Sequence, residues 1–133
     1  MVRHPLKNRL ARAPIVAAWL VAMCVPAAAQ NWIGLLKNTP AENFTEEDLK
    51  LFLDASRKAL NDTPTGGTEK WQNPVTGSGG ELKVIKLFTW QDHPCRQIRV
   101  SNYTVDRKGN NTLNLCQVSG KWRLMSPSEL KQT

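Results

Sequence analysis

The second half of the chain consists of short runs of apolar, β-branched and aromatic residues bounded by residues that favour turns. Five such runs follow residue 68: EKWQN, ELKVIKLFTW, CRQIRVSNYTV, TLNLCQVS and KWRLMS. The separators NPVTGSGG, QDHP, DRKGNN and SG supply glycine, proline, Asn and Asp, which stabilise turns in different ways. Because connections this short join antiparallel neighbours rather than parallel strands, the pattern predicts an antiparallel meander of four or five strands.

Alternation within the second run predicts how this sheet is buried. Leu82, Val84, Phe88 and Trp90 share one parity, which Lys86 interrupts. Since side chains of a strand point alternately to opposite faces, we expect these four on one face. That face would lie on the core, and the other would be partly in contact with water.

A helix is predicted ahead of the sheet, in the stretch FTEEDLKLFLDASRKALND. Thr45 is a favourable N-cap, Asp48 stands three positions further on, and Phe44 and Leu49 occupy the positions of a hydrophobic staple. Acidic residues fill the first turn and basic residues lie near the last, as the helix dipole favours. The apolar side chains approximate one face. We therefore predict an α+β fold with one amphipathic helix packed on the sheet.

The first 29 residues show the three parts of a secretory signal peptide. The basic region MVRHPLKNRLAR contains no acid and precedes a 14-residue apolar stretch and the small residues AAAQ. The apolar stretch is shorter than the roughly 20 residues that span a bilayer, so we expect cleavage after Ala29. An uncleaved anchor is one alternative. Lipid attachment at Cys24 is another, although Met23 is larger than the small residue expected there.

These boundaries divide the chain into four parts. We predict a signal peptide at 1–29, an N-terminal segment at 30–44, a helix-plus-sheet domain at 45–126 and a C-terminal tail at 127–133. The whole chain has a net charge of +7, but beyond residue 29 it keeps 14 basic against 11 acidic side chains. This mild excess is ordinary for a soluble domain, and it would favour an anionic membrane surface or polyanion. We do not expect an exported chain without a basic run to bind nucleic acid.

Cys95 and Cys116 are the two cysteines beyond the leader, and an even number outside the cytoplasm predicts a disulfide. They lie in successive strand runs, which an antiparallel pairing would bring together. If the intervening turn centres on RKGN, however, they are not directly opposite, and a bulge or strong twist would be needed.

His93 raises two alternatives to the disulfide, since it lies two residues before Cys95 in HPCRQIRV. A Cys–His nucleophile pair would need a free thiol, which an oxidising compartment and a nearby Cys116 work against. Structural zinc needs four ligands, and three Cys and His remain beyond the leader. We therefore predict no catalytic residue, no metal and no cofactor. An incidental copper or zinc contact at His93 stays open.

Aromatic and basic side chains form two further candidate surfaces. Trp71, Trp90 and Trp122 would either line a binding surface or, as such residues more often do, belong to the core. Four arginines would form either a basic face or an ordinary solvated surface: Arg96, Arg99, Arg107 and Arg123.

The order of the turn and cysteine motifs resembles that of a known family. WQNPVTGSGG, then Cys-Arg, then a lone cysteine and GKW, is similar to the bacterial outer-membrane surface-antigen family of the 17-kilodalton type. The resemblance covers about residues 56–125 and rests on these positions: Trp71, Asn73, Pro74, Gly77, Gly80, Cys95, Arg96, Cys116, Gly120 and Trp122. It implies a small, β-rich envelope domain without established catalytic chemistry. The glycine-rich upstream segment of such proteins is replaced here by the helix, and Gln97 and Ile98 stand where an aromatic residue often follows Cys-Arg.

These observations favour an exported, non-enzymatic module of the cell envelope. We expect it in the periplasm, with attachment to the outer membrane as a further option. As its partner we expect an envelope protein or membrane-associated component, with peripheral membrane contact as a further option. One alternative is an accessory subunit of a membrane complex that docks through Trp32, Ile33 and Leu35. The other is a small periplasmic enzyme or metal-handling protein that uses His93.

Overall fold

The computed structural model describes residues 37–132 of the chain. The predicted signal peptide, Cys24 and the segment with Trp32, Ile33 and Leu35 lie outside the described residues. In chain order the elements are a 3-10 turn (Pro40–Asn43), helix α1 (Glu46–Asn61), strands β1 (Thr68–Asn73), β2 (Ser78–Trp90), β3 (His93–Tyr103), β4 (Lys108–Val118) and β5 (Lys121–Met125), and helix α2 (Pro127–Leu130).

The five strands form one antiparallel sheet in the order β1-β2-β3-β4-β5. Each strand pairs with its neighbours in sequence, as the short connections require. Helix α1 packs against β1 and β2 on one face of this meander. The predicted α+β class, with a main helix on an antiparallel sheet, is therefore confirmed.

The turns are shorter than their composition indicates. The β2–β3 connection is a two-residue turn of Gln91 and Asp92, both with positive φ, and Ser119 and Gly120 form a similar turn between β4 and β5. Such paired positive φ values match the twist of a two-residue hairpin. His93 and Pro94, predicted to be turn residues, already belong to β3.

The third turn corrects the predicted register of the two cysteines. It spans residues 104–107 rather than centring on RKGN, and it is closed by the Thr104 amide, which donates to the Arg107 carbonyl at 2.8 Å. Lys108 is therefore the first residue of β4 and pairs with Tyr103. This register places Cys95 directly opposite Cys116. The condition for an offset, a turn centred on RKGN, is therefore not met, and the disulfide needs no bulge between β3 and β4.

A bulge does occur, but between β2 and β3. Val84 pairs with Ile98, whereas Lys86 pairs with Gln97, so Ile85 is an extra residue on β2. Because one inserted residue reverses the alternation, residues after it point to the opposite face from the one their parity predicts. The prediction that Leu82, Val84, Phe88 and Trp90 share a face was therefore wrong.

The main core lies between α1 and the sheet. Thr45 and Asp48 form the predicted capping box, which starts the helix. Phe44, just before the cap, packs edge-on against Trp71 with ring centroids 5.0 Å apart. The buried apolar residues of this core come from α1 and from the first four strands: Phe52, Ala55, Ala59, Leu60, Trp71, Leu82, Val84, Ile98, Val100 and Leu115.

A second, smaller apolar cluster lies on the opposite face of the sheet, at the end nearest the β2–β3 turn. Its buried members are Cys95, Cys116 and Met125, with Phe88, Trp90 and Leu130 packed against them. Leu130 belongs to α2, whose N-cap Ser126 accepts a hydrogen bond from the Glu129 amide. Leu130, predicted to be part of a tail, therefore packs against the cluster that contains the disulfide. No helix within residues 37–132 is both long and apolar enough to cross a bilayer.

Candidate functional site

Asn73, one of the residues that carry the family resemblance, ties the first hairpin to the start of α1. Its side-chain amide donates to Asp48 Oδ1 at 2.7 Å, and the Thr76 hydroxyl donates to the same oxygen at 2.7 Å. The other carboxylate oxygen accepts from the Thr45 amide at 3.0 Å. Asp48 is only 1% exposed, so this carboxylate is a buried charge held by three hydrogen bonds.

The electrostatics of Asp48 follow from these contacts. Burial by itself would raise the pKa of its carboxyl, because the charged form loses contact with water. The hydrogen bonds from Thr76, Thr45 and Asn73 outweigh burial and hold the pKa below its ordinary value. Asp48 is therefore ionised at neutral pH and stabilises the fold rather than exchanging protons.

Pro74 and Gly77 shape the turn that presents Thr76 to Asp48. The Asn73 side chain accepts from the Val75 amide at 3.1 Å, and the Asn73 carbonyl accepts from the Gly77 amide at 2.9 Å. Gly77 has a φ of +73°, a value that glycine adopts without strain. Asparagine, proline and glycine, in this order along the chain, thus build one turn.

Trp71, Gly80 and Asn102 lie side by side on three neighbouring strands, on the face covered by α1. Gly80 pairs with Trp71 on one side and with Asn102 on the other. The Trp71 indole N–H donates to Asn102 Oδ1 at 3.2 Å, and a Cβ at Gly80 would lie only 2.9 Å from that indole nitrogen. Glycine is needed here because the hydrogen bond passes over it.

Arg96 and Trp122 hold the other end of α1. One guanidinium nitrogen of Arg96 donates to the carbonyl of Ala59 at 3.0 Å and also to that of Thr63. The Trp122 indole N–H donates to Asn61 Oδ1 at 2.9 Å. The Ala59 carbonyl is one of those that the end of a helix leaves without an intrahelical partner, and Thr63 follows α1. Arg96 therefore satisfies the end of the helix and holds the segment after it.

The residues of the family resemblance are thus distributed around the fold rather than gathered at one site. Asn73 fixes the start of α1, Arg96 and Trp122 fix its end, Gly80 accommodates the Trp71 hydrogen bond, and Gly120 completes the β4–β5 turn. Their positions account for architecture. Arg96 and Trp122 line one groove together, but the set as a whole is not gathered in one cleft.

Cys95 and Cys116 form a disulfide, as predicted. Both are almost fully buried, and the bridge joins the directly paired residues of β3 and β4. A disulfide sulfur is not a free nucleophile, so Cys95 and His93 do not form a catalytic pair in this state. The His93 ring stacks instead on Trp90, with centroids 6.1 Å apart. Within residues 37–132 no three His, Cys, Asp or Glu side chains are grouped to hold a metal ion.

A shallow groove of about 440 Å³ lies beside the end of α1. Leu60, Leu87 and Trp122 form its apolar walls, and Arg96 lies among the residues that line it. Leu87 is 53% exposed, so the groove is open to solvent. Arg96 already donates to the carbonyl of Ala59 in α1 and to that of Thr63 just after the helix. The groove therefore lies directly beside the contact between the sheet and the end of α1.

The predicted set of arginines does not form one basic face. Arg96 lies on the α1 side of the sheet, Arg107 is 3.5 Å from Glu42, and Arg123 is paired with Glu129. Arg99 alone of the four is exposed on the face turned away from α1 without an ion pair among the described residues.

Arg99 belongs instead to a group of three cations that the sequence analysis missed. Lys83 pairs directly with Arg99 across β2 and β3, and Lys86 pairs with Gln97, two residues from Arg99 on the same face. All three side chains are exposed, and none takes part in an ion pair within the described part of the chain. We call Lys83, Lys86 and Arg99 the basic patch.

The basic patch is difficult to see in the sequence because it depends on the bulge. Lys83 and Lys86 are three residues apart, which in a regular strand puts them on opposite faces. The extra residue Ile85 brings them to the same face. One part of the patch could have been predicted from the sequence. Lys83 and Arg99 each stand between two buried residues of their own strand, so both are expected on the face away from the core.

Comparison with known proteins identifies neither a family nor a function for the chain. No family model matches the chain, and no curated protein or solved structure matches it. The resemblance to the surface-antigen family therefore stays a prediction from the motifs.

Proposed function

We propose that this protein is an exported, non-enzymatic module of the cell envelope that binds its partner through the face of the sheet turned away from α1. The proposal places it in the periplasm, with attachment to the outer membrane as a further option. Its N-terminal sequence supports export, and the buried disulfide suits an oxidising compartment.

The basic patch is the observation that carries the binding role. It leaves three cations exposed on a sheet face, where Lys83 and Arg99 are directly opposite each other. Like charges at paired positions of a sheet are destabilising, so folding does not favour this arrangement. Two paired cations that do not stabilise the fold are candidates for binding another molecule.

Fractionation of cells that produce the full chain with a C-terminal tag tests this proposal. We expect the chain in the envelope fractions, with an intact mass that shows the removal of residues 1–29. Changing Lys83 and Arg99 to Glu should release it from the membrane-associated fraction. The matched control, with Lys50 and Lys58 on α1 changed to Glu, alters the net charge equally and should leave the distribution unchanged.

Two results would contradict the proposal. One is a chain that stays in the cytoplasm with residues 1–29 attached. The other is an exported chain whose distribution responds equally to both double variants. The face of the sheet turned away from α1, which we call the open face, would then have no special role.

A further inference from the structure

We infer that the basic patch binds the phosphate groups of an anionic lipid surface. This deepens the function proposed above and rests on it, because it names the partner of the same face.

The charge of the patch is not neutralised by its neighbours. On the open face, the positions paired with Lys83, Lys86 and Arg99 outside the patch itself are Thr68, Gln97 and Thr112. These side chains are uncharged hydrogen-bonding groups. The nearest acid along β2 is Glu81, which lies on the same face two residues from Lys83 and opposite Lys70 in β1. Within the described residues Glu81 forms no ion pair with the patch. An external anion would therefore relieve the repulsion between Lys83 and Arg99.

Aromatic side chains extend the patch along the same face. Lys86 Nζ lies 5.6 Å from the centroid of the Phe88 ring, and Trp90 follows two residues later on that side of the sheet. Phe88 and Trp90 are both partly exposed members of the second cluster. Cations next to aromatic rings suit the headgroup region of a membrane, where tryptophan and long basic side chains are favoured.

Charge complementarity indicates that an anionic lipid surface is the binding partner of the patch. Anionic leaflets attract basic residues held near their surface, and phosphate oxygens accept hydrogen bonds from both ammonium and guanidinium groups. The patch lies on an exposed sheet face rather than in a cleft, so it can approach a broad surface. A leader that directs export would also bring the chain next to membranes.

Vesicle partitioning tests the inference with the full chain, recovered after export and with its N-terminus defined by intact mass. Vesicles of phosphatidylcholine mixed with phosphatidylglycerol serve as the anionic surface, and phosphatidylcholine alone serves as the neutral one. We expect binding to the anionic vesicles that weakens as salt is added. Each basic residue near an anionic surface contributes a factor of about five to partitioning.

A triple variant isolates the patch. Lys83→Gln, Lys86→Gln and Arg99→Gln together should lower partitioning about 100-fold, since three such factors are lost. The matched control is Lys50→Gln, Arg57→Gln and Lys58→Gln, which removes three charges from exposed positions of α1. Both variants have the same net charge, so a difference in their partitioning shows that the position of the charges matters and not their number alone. Circular dichroism and a urea titration would establish that both remain folded.

Three outcomes would overturn the inference. They are an absence of binding to anionic vesicles, an equal loss in the two triple variants, and patch-dependent binding to a soluble anionic polysaccharide without binding to vesicles. If the chain is retained in the envelope through the open face but ignores vesicles, the proposed function stands and the lipid assignment fails. If it is not exported at all, the proposed function itself fails.

Discussion

Asp48 and Asn73 are 25 residues apart in the sequence and are joined by a buried hydrogen bond of 2.7 Å. This contact connects the first turn of α1 to the end of β1. Arg96 makes the corresponding connection at the last turn, through the carbonyls of Ala59 and Thr63. The helix is thus held on the sheet by a polar contact at each end, with the apolar core between them.

Replacing Asp48 by asparagine should destabilise the protein. Both carboxylate oxygens of Asp48 accept hydrogen bonds, and asparagine replaces one of them with an NH2 group, which cannot accept. Either the Thr45 N–H or the donors of Asn73 and Thr76 would then lose their acceptor. We expect a loss of about 2 kcal/mol in the free energy of unfolding, measured by urea titration. Asp54→Asn on the same helix is the control, since its exposed pair with Arg57 should contribute less than about 1 kcal/mol. Equal losses in both variants would contradict the role of the Asp48 contacts.

Stability should also fall in acid, and Asp48 should account for part of that fall. Its pKa is lower in the folded chain than in the unfolded one, so the unfolded state takes up protons first as the pH decreases. The contribution is complete above the ordinary aspartate range, near pH 5, and is lost as the pH falls through the lowered folded pKa.

Urea midpoints measured between pH 7 and pH 2 test this dependence. Asp48→Asn should flatten the decline below pH 5. A residual slope is expected because hydrogen bonds from Ser126, together with the charge of Arg123, also lower the pKa of Glu129. An unchanged slope in the Asp48 variant would argue against a lowered pKa at this residue.

Arg96 and Arg99 provide a matched pair, since they lie on the same strand but on opposite faces of the sheet. Arg96→Ala removes two charge-assisted hydrogen bonds to carbonyls at the end of α1, so we expect a loss of about 2 kcal/mol in unfolding free energy. Arg99→Ala removes an exposed cation opposite Lys83 and should change stability by less than about 0.5 kcal/mol. Chemical denaturation of both variants checks this, and a larger cost at Arg99 would show a structural role for the basic patch.

The disulfide should contribute a large share of the stability. Cys95 and Cys116 are separated by 21 residues, and closing a loop of this length is worth about 3 kcal/mol in the unfolded-chain entropy model. We expect the double variant Cys95→Ala, Cys116→Ala to unfold at a lower urea concentration, and the reduced natural chain to behave similarly. Alkylation of the unfolded, unreduced chain should label neither cysteine. Labelling of both would show that the bridge is absent from the protein.

The parts of this fold that could be predicted are those that depend on neighbouring residues. Thr45 and Asp48 cap the helix through groups three positions apart, and the apolar runs after residue 68 correspond to the five strands. The β4–β5 turn follows from Ser119 and Gly120 alone. In each case the determining contact lies within a few residues, so the local sequence contains enough information.

The register of the strands and the composition of their faces were decided by the tertiary structure. Asn110 and Gly109 have the composition of a turn, yet they lie in β4 because β3 offers a full-length partner with which they pair. The bulge at Ile85 reverses the alternation of β2, which separates Val84 from Phe88 and brings Lys86 to the same face as Lys83. Pairing energy and core packing, summed over distant strands, outweigh local preference at these positions.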